Sequence, residues 1–261
     1  MRSPPIFEYS LWLGSVTEPS VHFVIALAFV AGGFVKGLIG GGLPSIVVPI
    51  MAIVVDPALA AALTIVPVAV TNLWQALDGR LLMPVLRRFG ALLVALFVGV
   101  LAGSQLLVGL PAHVTALIIG AAVVLLSPLP LFTHRFVVPP HRERWLNPAV
   151  GGAVGLLGGV TVIFTPGLIY LAMLRLEKNL HVAAAAIIAT TAMVPLYIGL
   201  GLSDALSWGV VRFSLVLLVP TMAGYLGGRA LRGRISQTAF QQILTASLVF
   251  IGIGLVYKGL S

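Results

Sequence analysis

Lys36 is the residue on which chemistry can be built, because it puts a charge into a stretch otherwise apolar enough to enter a bilayer. It lies within Gly32-Gly33-Phe34-Val35-Lys36-Gly37-Leu38-Ile39-Gly40-Gly41-Gly42-Leu43-Pro44-Ser45, closed by Pro49. Glycine leaves backbone groups unshielded and proline removes N–H donors, so the run predicts two half-helices meeting at a glycine-rich tip. In lipid, irregular backbone is tolerated only where it is buried in protein or lines a polar cavity. A lysine in such a break reads as a functional site. The segment starting near Leu43 should aim its N-terminus at the tip, and a segment starting near Val160 should do so from a second break. Helix N-termini offer unpaired N–H groups and partial positive charge. With Lys36 they predict an electropositive pocket near the midplane for a small oxyanion. Its candidate contacts are Lys36, Gly37, Gly40, Gly41 and Gly42 from the first break, with Gly158 and Gly159 from the second. The competing reading is a lysine that snorkels to an interface; its place between glycines, well inside the segment, favours binding.

On the next segment, Thr64, Val68, Thr71, Asn72 and Gln75 share one helix face. Pro67 interrupts the hydrogen-bond ladder there and frees a carbonyl. Thr71, Asn72 and Gln75 are candidate substrate contacts, weighed evenly against interhelical hydrogen bonds worth about 0.6 kcal/mol each. The second half offers Thr190, Thr191 and Pro195 at similar depth, and Ser45, Thr161 and Thr165 are weaker candidates. Neither break contains an acidic residue, which argues against a metal or sodium substrate. There is no Gly-x-Ser-x-Gly, no His-Glu-x-x-His and no aspartate pair, so an intramembrane enzyme lacks its machinery. The chain has no cysteine, and its five histidines form no close metal-spaced pair, so no metal or cofactor is expected.

The elements that position these residues belong to a membrane protein. The chain has 261 residues, 59% hydrophobic and 8% charged, with a mean hydropathy of +1.13. A soluble domain averages about 25% charged residues, so this is a polytopic membrane protein. The formal charge of +8 is scattered one to three residues per loop, which excludes a nucleic-acid surface. Residues 1–20 carry Pro4, Pro5, Glu8 and Glu18 and predict an extracytoplasmic segment with no removable signal.

Hydrophobic segments fall near 21–39, 43–55, 58–76, 89–109 and 113–133, then near 147–158, 160–174, 181–201, 210–228 and 237–257. Those of 12–15 residues are short for a crossing, which takes about 20. The halves repeat: Gly151-Gly152-Ala153-Val154-Gly155-Leu156-Leu157-Gly158-Gly159, ending at Pro166, matches the first break with one residue deleted. That deletion removes the counterpart of Lys36. Gly99 and Gly103 match Gly224 and Gly228, and both pairs read as close helix packing. Such duplication predicts membrane repeats at 21–133 and 147–261 joined by a cytoplasmic linker at 134–146. If each break is a hairpin returning to its own side, loop cations divide eleven against three; continuous crossings divide them nine against five. The first division wins and predicts inverted repeats with both termini outside. Re-entrant hairpins and short tilted crossings stay open, because both leave the loops on the same sides.

Gly33-x-x-Lys36-Gly37-x-x-Gly40-x-Gly42, with Pro49 and Asp56-Pro57-Ala58, resembles the first-repeat signature of the sulfite exporter TauE/SafE family, also called the toluene-sulfonate uptake permease family. Gly155-x-x-Gly158-Gly159 with Pro166 is similar to its second copy. The second break carries Val160-Thr161-Val162 where a third glycine and a small residue are often found, so the resemblance does not imply equal contact from both half-sites. It does imply small sulfur-containing or organic anions moved across the bacterial inner membrane. The expectation is an all-α, polytopic helical bundle acting as a secondary transporter by alternating access, in the export direction. Proton-coupled uptake, an assembly scaffold and a homo-oligomer stay open, and the partners are a small anion and membrane lipid.

Overall fold

The computed structural model describes residues 19–39, 41–77, 82–130, 136–203, 206–231 and 237–260. Every main element among them is a helix. The first half carries α1 (Pro19–Ile39), α2 (Leu43–Met51), α3 (Pro57–Leu63), α4 (Ile65–Leu77), α5 (Leu82–Gly109) and α6 (Ala112–Leu126). The second half carries α7 (Pro140–Thr161), α8 (Thr165–Met173), α9 (Lys178–Leu202), α10 (Trp208–Leu231) and α11 (Gln237–Leu260). Stretches of α1, α5, α9 and α10 are long and apolar enough to cross a membrane. Segment 1–18, Gly40, Arg80, His134, Arg135, Arg232 and Arg234 lie outside the described residues, as do the side chains of Trp74, Gln75 and Lys178.

Both predicted breaks interrupt a helix, but the second is displaced from where the glycines put it. α7 runs through Gly158 and Gly159 to Thr161, and α8 begins at Thr165 rather than near Val160. Glycine weakens a helix by about 1 kcal/mol, a cost that close packing of helices offsets. Pro166 sets the actual stop: it sits second in α8, and a proline ring clashes with the carbonyl four residues back, that of Val162. Pro44 holds the same place in α2. Matching Pro44 to Pro166 also pairs Gly33 with Gly155 and Gly37 with Gly159, without any deletion. Gly158, not a gap, therefore stands where the first half has Lys36. The stretch 140–146, expected as linker, is the first turns of α7.

Each short helix doubles back on its predecessor. A Cβ on Gly32 of α1 would meet Val47 Cγ2 and Leu43 O of α2. In the second half a Cβ on Gly167 would meet Val154 Cγ1 at 3.3 Å, and Val138 N donates to Met173 O at 3.0 Å. The end of α8 thus lies beside the start of α7. Lys258 near the end of α11 closes α2 differently, donating to Ala52 O at 3.0 Å and Ile53 O at 2.8 Å, at the negative end of that helix.

The hairpins are held by two crossings with one contact pattern. Gly33 and Gly37 of α1 press on the carbonyls of Thr221 and Tyr225 of α10, while Gly224 and Gly228 press on those of Val30 and Phe34. In the other crossing Gly155 and Gly159 of α7 meet Leu96 O and Val100 O of α5, while Gly99 and Gly103 meet Gly152 O and Leu156 O. Contacts advance together along both partners, so each pair runs parallel. The first helix of each half is therefore packed on a long helix of the other half.

The predicted 58–76 segment is two helices, α3 and α4, divided at Thr64. Pro67 has no N–H for the carbonyl of Leu63. Ser214 of α10 supplies the missing donor: its Oγ donates to Leu63 O at 2.7 Å and accepts from Val66 N at 3.1 Å. Thr64 Oγ1 lies 3.1 Å from the Tyr197 hydroxyl of α9, so the kink is tied to two neighbouring helices.

Candidate functional site

At the first break, Gly42 has φ 87°, a left-handed conformation that costs glycine nothing, and it opens α2. Three residues before the end of α1, Lys36 is 3% exposed. Its Nζ donates to Asn72 Oδ1 on α4, which is 5% exposed, so the fold joins two residues that stand on different predicted segments. Among the described residues this partner is neutral, and the ion pair is elsewhere. A buried ammonium costs several kcal/mol unless its charge is balanced. Asn72 can take one N–H of Lys36, yet it leaves the net charge in place and keeps two amide N–H donors of its own.

The threonines behave otherwise. Thr71 Oγ1 donates to Pro67 O at 2.6 Å and Val68 O at 3.2 Å, and Thr161 Oγ1 donates to Leu157 O at 2.7 Å. Thr190 is exposed on α9 and donates to Ala186 O at 2.9 Å. A hydroxyl has one proton, so in this arrangement these three can accept from a ligand but not donate to it. An anion needs donors, which leaves Lys36, Asn72, the hydroxyls of Ser45 and Thr165, and backbone amides. Ser45 is buried in the first turn of α2, and Thr165 is half-buried as the first residue of α8. Gly37 and Gly159 face the neighbouring helix backbones described above. Gly40 and the Gln75 side chain lie outside the described residues.

The second break is apolar. Val162 has φ 60°, where a β-branched residue is strained, and Thr161 Oγ1 accepts from Ile163 N at 3.2 Å. A Cβ on Gly158 would lie 2.2 Å from Phe164 Cε1, so the phenyl ring occupies the space beside this glycine. The two breaks adjoin: a Cβ on Gly41 would lie 3.6 Å from Leu168 Cδ1 in the first turn of α8.

A second polar cluster was not expected from sequence. Arg88 Nε and an Nη donate to both oxygens of Glu143, at 2.9 and 2.7 Å. Asn147 Nδ2 donates to Arg88 O at 3.2 Å, and the Tyr170 hydroxyl donates to Asn147 Oδ1 at 2.7 Å. The chain of contacts ties α5, α7 and α8 together at the opening end of α7. Arg88 reads from sequence as a topology anchor and Glu143 as a linker residue. The available signal was the scarcity of acids, since only seven Asp and Glu occur in the chain.

The described residues contain no cluster of three or more His, Cys, Asp or Glu that could hold a metal. A family model described as "Sulfite exporter TauE/SafE" matches residues 24–255. No curated protein and no solved structure matches the chain.

Proposed function

Because the chain belongs to the sulfite exporter TauE/SafE family, we propose that it is a secondary transporter that exports a small sulfur-containing or organic anion by alternating access. The observation that carries this reading is Lys36, a buried cation paired with a neutral amide where two interrupted helices adjoin. A charge held there carries a cost that a transient anionic partner would offset. Lys36, Asn72 and the amides at Gly41 and Gly42 hold the anion, and Ser45 and Thr165 border it. The halves are inverted repeats, each hairpin is re-entrant, and both termini are extracytoplasmic. The uneven loop charge and the recurring parallel crossings support that arrangement. The inside-negative potential drives anions outward by about 2.3 kcal/mol per charge per 100 mV, so export requires no coupling ion.

The test is flux of labelled sulfite and labelled ethanesulfonate in proteoliposomes, with Lys36→Ala and Gly41→Leu beside the wild type. Transport by the wild type and its loss in both variants is the expected result. Unchanged flux in both variants would remove the site.

A further inference from the structure

We propose that Ser214 is a positioning residue for this site: by holding the break between α3 and α4 it sets Asn72 against Lys36; this rests on the transport reading above. Three helices meet in a closed circuit of contacts. α10 grips α1 through Gly33 and Gly37, the glycines on either side of Lys36, against its own backbone at Thr221 and Tyr225. The same helix grips α4 through Ser214, whose Oγ accepts from Val66 N at 3.1 Å and donates to Leu63 O at 2.7 Å. The third contact, Lys36 Nζ with Asn72 Oδ1, joins α1 to α4. Lys36 and Asn72 are thus both registered against one template, a helix of the other half.

Ser214 is fully buried, and both of its hydrogen bonds go to the backbone of the break. They reach across it, from the last residue of α3 to the second residue of α4. Without the hydroxyl, Leu63 O would lack this donor, because Pro67 has no N–H to give it. Thr64 steadies the break from α9 through Tyr197, but its other hydrogen bond, to Ala61 O at 2.7 Å, lies on the α3 side. Asn72 stands five residues beyond Pro67, about 7.5 Å along the helix axis. A change of about 20° in the bend at Pro67 would swing it by about 2.6 Å. That exceeds the range of roughly 0.5 Å over which N–H···O lengths vary. Ser214 therefore acts on the anion site through the course of α4 and not by touching the anion.

The experiment measures labelled sulfite flux in proteoliposomes, and thermal unfolding, for the wild type, Ser214→Ala, Pro67→Ala and their combination. Ser214→Ala should lower the melting temperature and raise KM about tenfold. Adding Pro67→Ala returns an N–H for Leu63 O, so the melting temperature should recover, while the straightened helix keeps KM about tenfold high. A hydroxyl with a purely structural role would let KM recover together with stability. Should Ser214→Ala not fold, Pro67→Ala alone decides, with an expected rise in KM at an unchanged melting temperature. The chain has no cysteine, so Lys36→Cys with Asn72→Cys reads the juxtaposition without transport. A short bifunctional thiol reagent should link that pair, and do so about tenfold more slowly once Pro67→Ala is added. A KM that stays at or returns to the wild-type value, or equal linking in the two backgrounds, would overturn the proposal. A wild type without flux would overturn the transport reading instead, and the cross-link would then decide the positioning.

Discussion

The two hairpins are built on one plan and finished with different chemistry. Both end their first helix shortly before a proline, both fold a nine-residue helix back, and both press glycines onto a long helix of the other half. Yet the turn at the first break is made by Gly42 and the turn at the second by Val162, one relaxed and one strained. The first places a lysine near the turn; the second places a phenyl ring. The clamp glycines recur because backbone-to-backbone approach leaves no room for a side chain.

The comparison breaks first at the clamps. Gly37→Leu and Gly159→Leu force a side chain into a neighbouring carbonyl, and each should cost more than about 4 kcal/mol, abolishing monodisperse protein in detergent. If only one of the pair is intolerant, the two crossings are not equivalent. Lys36→Met separates function from stability: transport should fall about a hundredfold, near 2.7 kcal/mol in barrier terms, while the melting temperature holds or rises. A fall in both would make Lys36 a structural residue.

The Arg88–Glu143 pair sharpens the contrast at the far end of the second hairpin. Glu143→Gln should destabilise by about 1 kcal/mol, a modest cost because Arg88 is partly solvated. A double-mutant cycle with Arg88→Gln should assign that loss to the pair. The smallest effects have opposite signs: Gly42→Ala should destabilise and Val162→Gly stabilise, each by about 1 kcal/mol, read by thermal unfolding. Equal signs would mean that the turns are not conformational equivalents.

Much of this was legible in the residues themselves. The glycine run at 40–42 with Pro44 marked the first break, and Pro67 foretold a freed carbonyl. Gly99, Gly103, Gly224 and Gly228 read as packing contacts, which is where they lie. The second break was misplaced because Gly158 and Gly159 look alike in sequence to Gly40 and Gly41, although Gly159 serves a helix crossing and Gly158 lies beneath the Phe164 ring. Glycine spacing alone does not distinguish a turn from a clamp. The partner surface does.

Sequence by itself determined the solvent, the helical class and the single cation among apolar neighbours, because composition and local backbone chemistry fix each of these without reference to distant residues. Tertiary structure alone decided that Lys36 meets Asn72, that Ser214 repairs the kink at Pro67, and that Phe164 covers Gly158. Two of these contacts join separate helices, and the third depends on how the chain turns after α7. Pairings of that kind follow from which surfaces pack together, a property no local stretch of sequence carries.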